Sequence, residues 1–341
     1  MKVSLITLVI PCFNEDLTIE EFYRRAKVFS ASMAPKQFEF IFINDGSTDN
    51  TSDILNQIAA KDTSVKVLHL AQNRGHQIAL TAGLDYACGD MIVTIDADLQ
   101  DPPELIKEML EKIEQGYDVV HAQRRRRFGE SIFKIVSAQL FYRTMKWISD
   151  TPIIQNCGDF RAFARPVLQA ISAFRMPHRF LRGIFVQIGF NQCIIEYDRD
   201  VRYAGTTKYP FFKMAGLSMD AMLSFSAAPI RAIICISLLL WTVSLIYLVK
   251  SLIEHFILHI TVPGWTSLIV MMFFFTGLIL FCLSIIGSYV GRIFHQGQNQ
   301  PLYWLSDARN LNFEQMKSDF GQYHEVLLSQ RIVDLQRRRN P

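Results

Sequence analysis

Charge is missing from one long part of this chain. Between Arg231 and Arg292 the only charged residues are Lys250 and Glu254, with His255 and His259 nearby. Paired cysteines are missing too. The six present (Cys12, Cys88, Cys157, Cys193, Cys235 and Cys282) are scattered and form no C-x-x-C. That spacing excludes a zinc-finger type of site and a disulfide framework, and makes a reducing cytoplasmic setting the default. There is no excess of one sign of charge. The net charge of +3 is too near neutral to point to nucleic acid. A leader peptide is not expected either. Met1-Lys2-Val3-Ser4 runs straight into a strand pattern, and the apolar stretch stops at Pro11 without a small-residue cleavage site. No internal repeat or low-complexity tract interrupts the chain.

What is present is apolar and unevenly spread. Hydrophobic residues make up 50% of the 341 positions, and the mean hydropathy is +0.16. Two runs carry the excess, Ala232–Val249 and Leu268–Val290, the second preceded by Trp265. Each approaches or exceeds the roughly 20 residues that cross a bilayer core. The loop between them holds Pro263-Gly264 and little positive charge. Arginines lie outside the pair, at Arg231 and Arg292, upstream at Arg124–Arg127 and in the tail at Arg337–Arg339. The excess of basic residues on the cytoplasmic side of membrane proteins then places both termini in the cytoplasm. The expected organisation is a cytosolic catalytic domain over 1–228 and a transmembrane hairpin over 229–291, with helices at 229–250 and 266–290. A cytosolic, polar and partly helical tail follows over 292–341. Two amphipathic segments, 131–148 and 211–226, are expected to lie along the membrane surface, although ordinary core helices fit the same pattern.

The first part alternates short apolar strands with amphipathic helices. Strands are expected at Leu5–Ile10, Phe38–Ile43, Val65–Leu70, Met91–Ile95 and Asp118–Ala122. Helices are expected at Thr18–Phe29, Thr51–Ala60, Ile78–Ala87 and Pro102–Gln115. Such alternation predicts a mostly parallel sheet covered by helices. Ligands of such sheets bind beyond the carboxyl ends of the strands. Asp96-Ala97-Asp98 stands at the end of the fourth strand. Paired hard oxygens suit Mg²⁺ or Mn²⁺, which keep substrate phosphates as further ligands. Three more polar loops end strands at the same edge: Pro11-Cys12-Phe13-Asn14-Glu15, Asn44-Asp45-Gly46-Ser47-Thr48-Asp49 and Gln72-Asn73-Arg74-Gly75. Taken singly each is a common turn; their convergence on one edge is not common.

Together these motifs, with Asp96-Ala97-Asp98-Leu99-Gln100-Asp101-Pro102-Pro103, resemble the inverting family 2 glycosyltransferases of GT-A fold. That fold is Rossmann-like, a mostly parallel sheet with flanking helices. Within the family the chain is similar to the polyprenyl-phosphate glycosyltransferases, from about Leu5 to about Arg292. It is most similar to the bactoprenol glucosyltransferases, through Asn156-x-Gly158-Asp159-Phe160-Arg161 and Gly287-x-Tyr289-x-Gly291-Arg292.

The resemblance implies roles. Pro11, Asn14, Glu15 and Asp45 would hold the nucleotide. Asp96, Asp98 and Gln100 would surround a Mg²⁺ or Mn²⁺ ion. Arg202 and Lys208, in Arg202-x-x-Gly205-x-Thr207-Lys208, would meet the diphosphate. Asp159 would lie near the reaction centre, either orienting the acceptor or acting as a weak base. Gln155 and His178 would line the sugar pocket. The arginines Arg124, Arg125 and Arg127 suit the acceptor phosphate, and an anionic lipid surface suits the run as a whole equally, with Arg124 favoured for the specific role.

The implied activity is transfer of one hexose, glucose from UDP-glucose, onto undecaprenyl or another polyprenyl phosphate. It would take place on the cytoplasmic leaflet of the inner (plasma) membrane, by a multi-pass protein. The lipid-phosphate sugar formed would serve cell-envelope glycan modification. Other nucleotide sugars (aminoarabinose, mannose, galactose, N-acetylhexosamine) fit the same frame. A processive polysaccharide synthase would carry Q-x-x-R-W, and none of Trp147, Trp241, Trp265 or Trp304 follows an arginine. A non-catalytic nucleotide-sugar-binding scaffold is disfavoured by the intact acid pair. Gly287-x-x-x-Gly291 offers a small-residue face for self-association.

Overall fold

A computed structural model describes residues 3–125, 157–176, 179–198, 264–298 and 300–311, with scattered helical positions between Ile233 and Ile253. The expected alternation is present. It runs β1 (Leu5–Cys12), α1 (Ile19–Ser32), β2 (Gln37–Asn44), α2 (Thr51–Lys61) and β3 (Val65–Leu70). Then follow α3 (His76–Asp85), β4 (Met91–Thr94), α4 (Leu105–Glu114) and β5 (Val119–Arg124). Beyond it come β6 (Cys157–Ala164), α5 (Arg165–Ser172), α6 (Leu181–Gln187) and β7 (Gln192–Tyr197). A long helix α7 (Trp265–Gly297) and a last strand β8 (Leu305–Arg309) complete the described elements.

The strands form one sheet in the order β7-β5-β6-β4-β1-β2-β3-β8. Its centre, β4-β1-β2-β3, is parallel throughout. Side chains alternate between the two faces, as the period of two requires. Ile6, Leu8, Ile10, Phe40 and Phe42 pack on one side with Ile19 and Phe22 of α1, Leu55 of α2 and Ile106 and Met109 of α4. Val9, Ile41 and Ile43 pack on the other with Leu80 and Leu84 of α3, Leu168 of α5 and Phe185 of α6. Helix α3 is buried from Ile78 to Asp85. Gly83 lets it press on the sheet: a Cβ there would lie 2.4 Å from Val9 Cγ1 and 2.5 Å from Ile43 Cδ1.

Two registers bring the later residues to the ligand edge. Strand β6 runs antiparallel to β4, with Thr94 opposite Arg161. It also runs antiparallel to β5, with Gln123 opposite Cys157. The start of β6 and the end of β5 therefore lie at the edge where β1 to β4 end.

The second half differs from the sequence expectation in places. In its described part the tail continues α7 to Gly297 and then forms a strand, β8, paired antiparallel with β3. Pro102 and Pro103 precede α4 in a turn, because the helix starts only at Leu105. Helix α7 outruns the expected 266–290 and contains one apolar window, Phe274–Gly291, with mean hydropathy 2.0 and none of it buried. Among the described residues it is the one helix long and apolar enough to cross a membrane. Most of the first expected hairpin helix, 229–250, and both surface segments, 131–148 and 211–226, lie outside the described residues.

Candidate active site

The first three loops are bonded to one another. Asn14 takes a left-handed backbone, φ 54°. Its side-chain oxygen accepts from Thr48 N at 2.9 Å, and its own N–H donates to Ser47 Oγ at 3.0 Å. Glu15 N donates to Thr51 Oγ1 at 2.9 Å. Pro11 lies buried beneath this rim. Asp45 is buried, and its carboxylate accepts from Arg74 N at 2.7 Å and Gly75 N at 2.8 Å. Burial raises the Asp45 pKa against these two bonds, which lower it. Gly46, at φ +66°, is needed here, because a Cβ would stand 2.6 Å from Asn73 N. An open, polar cavity of about 360 Å³ adjoins this rim. Gly46, Ser47, His69 and Gln72 line it, with Ser306 and Asp307 of β8 on one wall.

The acid pair sits in the turn after β4. Asp98 Oδ1 accepts from Gln100 N at 3.2 Å, and Leu99 between them has φ 60°. Burial first, and then Asp101, Asp98 and Asp159, push the Asp96 carboxyl up to about 6, while His76 opposes them. Among the described residues no three carboxylate, imidazole or thiol side chains close a cage for a metal ion by themselves. A hard cation that also binds substrate phosphates needs only one or two carboxylates. The oxygen donors of Asp96, Asp98 and Gln100 fit that kind of ion. The crowding of carboxylates around Asp96 is a repulsion that a divalent cation relieves.

Asp159 lies beside this pair and is 6% exposed. Arg182 grips it at two points, Nε to Oδ1 at 3.1 Å and NH2 to Oδ2 at 3.0 Å. His76 Nε2 stands 3.2 Å from Oδ2, and Gln77 Nε2 donates to the same oxygen at 3.2 Å. Arg161 NH2 is 3.5 Å from Oδ1. Burial alone would raise the Asp159 pKa, but Arg182 and His76 outweigh it and hold the carboxyl well below the usual range. His76 also faces Asp96 Oδ1 at 3.6 Å. Burial opposes its protonation, and Asp96 and Asp159 override burial, raising it to about 9. Arg161 is fully buried, with its guanidinium 4.3 Å from the Phe185 ring centroid.

Arg124 approaches the start of β6 from the other face. Its Nε donates to Tyr197 Oη at 3.3 Å, and its NH2 is 3.9 Å from Asp101 Oδ1. Tyr197 in turn donates to Asp101. Gly158 makes room for the guanidinium, since a Cβ there would lie 2.7 Å from Arg124 NH2.

The sheet edge thus gathers Pro11, Asn14, Glu15, Asp45, Asp96, Asp98, Gln100, Asp159 and Arg124. Arg125 points aside to Glu196 at 3.4 Å and Asp198 at 3.7 Å, and is 56% exposed. Arg127, Gln155, His178, Arg202 and Lys208 lie outside the described residues. Sequence reasoning missed His76, Gln77, Tyr197 and Arg182. His76 and Gln77 directly follow the Asn73-x-Gly75 motif, which was their only signal; Arg182 had none.

Comparison with known proteins agrees with this geometry. The family model described as Glycosyl transferase family 2 matches residues 7–172. An uncharacterized glycosyltransferase of Bacillus subtilis (strain 168), YkcC, is 40% identical over 313 residues, covering 92% of this chain and 97% of that protein. The SfII prophage-derived bactoprenol glucosyl transferase of Shigella flexneri is 36% identical over 307 residues, covering 90% and 99%. The prophage bactoprenol glucosyl transferase homolog of Escherichia coli (strain K12) is 37% identical over 304 residues, covering 89% and 99%.

Proposed function

The chain belongs to glycosyl transferase family 2, and from that premise we propose that it moves a single glucose from a nucleotide-sugar onto polyprenyl phosphate. One observation carries the reading. A nucleotide-type rim, an acid pair, a buried carboxylate with its own cations and a seated arginine share one sheet edge. Relatives matched along nine-tenths of the chain carry the name bactoprenol glucosyl transferase.

In finer detail, the donor is UDP-glucose and the acceptor is undecaprenyl phosphate on the cytoplasmic leaflet. Pro11, Asn14, Glu15 and Asp45 hold the nucleotide, with Arg202 and Lys208 on its diphosphate. Asp96, Asp98 and Gln100 hold Mg²⁺ or Mn²⁺, which when bound stabilises the charge building on the leaving diphosphate. Arg124 takes the acceptor phosphate, and bidentate guanidinium pairing suits that group. A phosphate monoester has a second pKa of about 6, so the acceptor is mostly dianionic near neutral pH and attacks the anomeric carbon without losing a proton. Helix α7 supports a seat at the bilayer: its window Phe274–Gly291 carries no charge, and among the described residues none of it is buried.

The test is purified protein with polyprenyl phosphate, Mg²⁺ or Mn²⁺ and a panel of UDP- and GDP-sugars, with product masses recorded. One hexose per lipid, from UDP-glucose, is expected. Polymer, or nucleotide-sugar binding without any lipid product, would overturn the reading.

A further inference from the structure

Resting on that reading, we propose that Asp159 is a positioning residue whose task is to aim Arg182 at the acceptor phosphate, making Arg182 a second phosphate-binding arginine opposite Arg124. The first support is lone-pair accounting. An ionised carboxylate offers about four acceptor sites. Asp159 Oδ2 receives Arg182 NH2, Gln77 Nε2 and a contact from His76, and its Oδ1 receives Arg182 Nε, with Arg161 NH2 at 3.5 Å. No vacant, basic oxygen is left to take a proton, and a dianionic acceptor has none to give. A buried carboxylate with this many donors is built to orient them.

The second support is which partners can reach a substrate. Arg161 cannot, with its side chain 2% exposed and its NH2 donating to Gly158 O at 2.8 Å. Arg182 can, with 37% of its side chain exposed. Its place on the first turn of α6 is set through Gln77, whose amide also donates to Asp159. Leu181 N donates to Gln77 Oε1 at 2.9 Å, tying α6 to the start of α3. That start carries His76, which touches the acid pair at Asp96. Arg182 is therefore linked by three contacts, through Asp159 and His76, to Asp96, where metal and diphosphate would sit.

The third support is the arrangement around β6. Residues 158 and 159 face opposite sides of the strand. Arg124 lies over Gly158 and Arg182 over Asp159, so two guanidinium groups flank the start of β6. An anion arriving there meets a charge from each side. The sequence shows none of this, because Asp159 and Arg182 carry no shared motif.

The test is a double-mutant cycle on full-length enzyme in detergent, with UDP-glucose and polyprenyl phosphate varied separately. Arg182→Met is expected to raise the KM for polyprenyl phosphate about tenfold or more, the loss of one charge-assisted pair, and to leave the KM for UDP-glucose within about twofold. Asp159→Asn is expected to act in the same direction, and the double variant to be no worse than the costlier single one. The pH profile of kcat in Asp159→Asn should keep its wild-type shape. Additive effects, a lost basic limb in that profile, or a matching rise in the UDP-glucose KM would each overturn the proposal. If Asp159→Asn does not fold, Arg182→Lys decides. An intermediate acceptor KM supports the assignment, and wild-type acceptor KM in both Arg182→Lys and Arg182→Met refutes it. Failure of the wild type to glycosylate lipid with any donor would instead refute the functional reading.

Discussion

Gly158→Ala tests the seat of Arg124 without touching a charged group. The added methyl would lie 2.7 Å from Arg124 NH2 and 3.3 Å from its Cζ. Ordinary contacts begin near 3.4 Å, so the guanidinium must retreat by several tenths of an ångström. It has no slack on the far side, where Tyr197 and Asp101 already hold it. The loss expected is that of a hydrogen bond to a charged group, about 1.5–3 kcal/mol, or roughly ten- to hundredfold in acceptor KM. Fold stability should change little, because the displaced atoms are the end of a flexible side chain. The assay is steady-state transfer at saturating UDP-glucose with polyprenyl phosphate varied. The control is Gly158→Ala placed on Arg124→Ala, where the methyl has nothing left to displace and should cost little more. An unchanged acceptor KM in a folded Gly158→Ala would refute the seat. A full additional loss on the Arg124→Ala background would show that the methyl acts elsewhere.

Three further predictions concern metal, acid and packing. Asp98→Ala is expected to lower transfer by about a hundredfold or more with the thermal melt unchanged, and a chelator to do the same to wild type; unchanged turnover would sink the metal assignment. His121 is buried and neutral, its pKa pushed down to about 4 by burial and then by Arg161. The unfolded chain therefore binds the extra proton between about pH 6.5 and 4. The resulting stability is intact above pH 6.5 and is lost by about 3 kcal/mol as pH falls to 4. Denaturant melts across that range should slope less in His121→Gln, and equal slopes would contradict this. Gly83→Ala should destabilise the domain by roughly 1–3 kcal/mol through its clash with Val9 and Ile43, read as a lowered denaturation midpoint.

The first four strand-helix units could be read from sequence because their strands are buried on both faces and so spell continuous apolar runs. Val65–Leu70 even keeps its ends. Strand β6 hid itself. It is buried along its whole length, yet it spends Asp159 and Arg161 inside the protein, where pattern reading expects neither. Strand β8, Leu305–Arg309, is short and polar, and only its pairing with β3 makes it a strand. The acid pair and the loops were legible because each is local to one strand end. The network around Asp159 joins three distant parts of the chain, His76, Asp159 and Arg182, and one-dimensional spacing carries no trace of it.

The short return from α7 to β8 has a consequence for how a lipid is found. Leu305 pairs with Leu70, and Ala71 N donates to Trp304 O at 2.8 Å, so the tail rejoins the sheet at its reactive end. Only residues 298–304 separate that point from the end of α7. Fully extended, seven residues reach about 25 Å. With α7 in the bilayer, this leash keeps the reactive edge within about 25 Å of the end of that helix, close to the membrane surface. The enzyme then hunts its acceptor in a plane rather than in a volume, and lengthening 298–304 with flexible residues would return it to three dimensions.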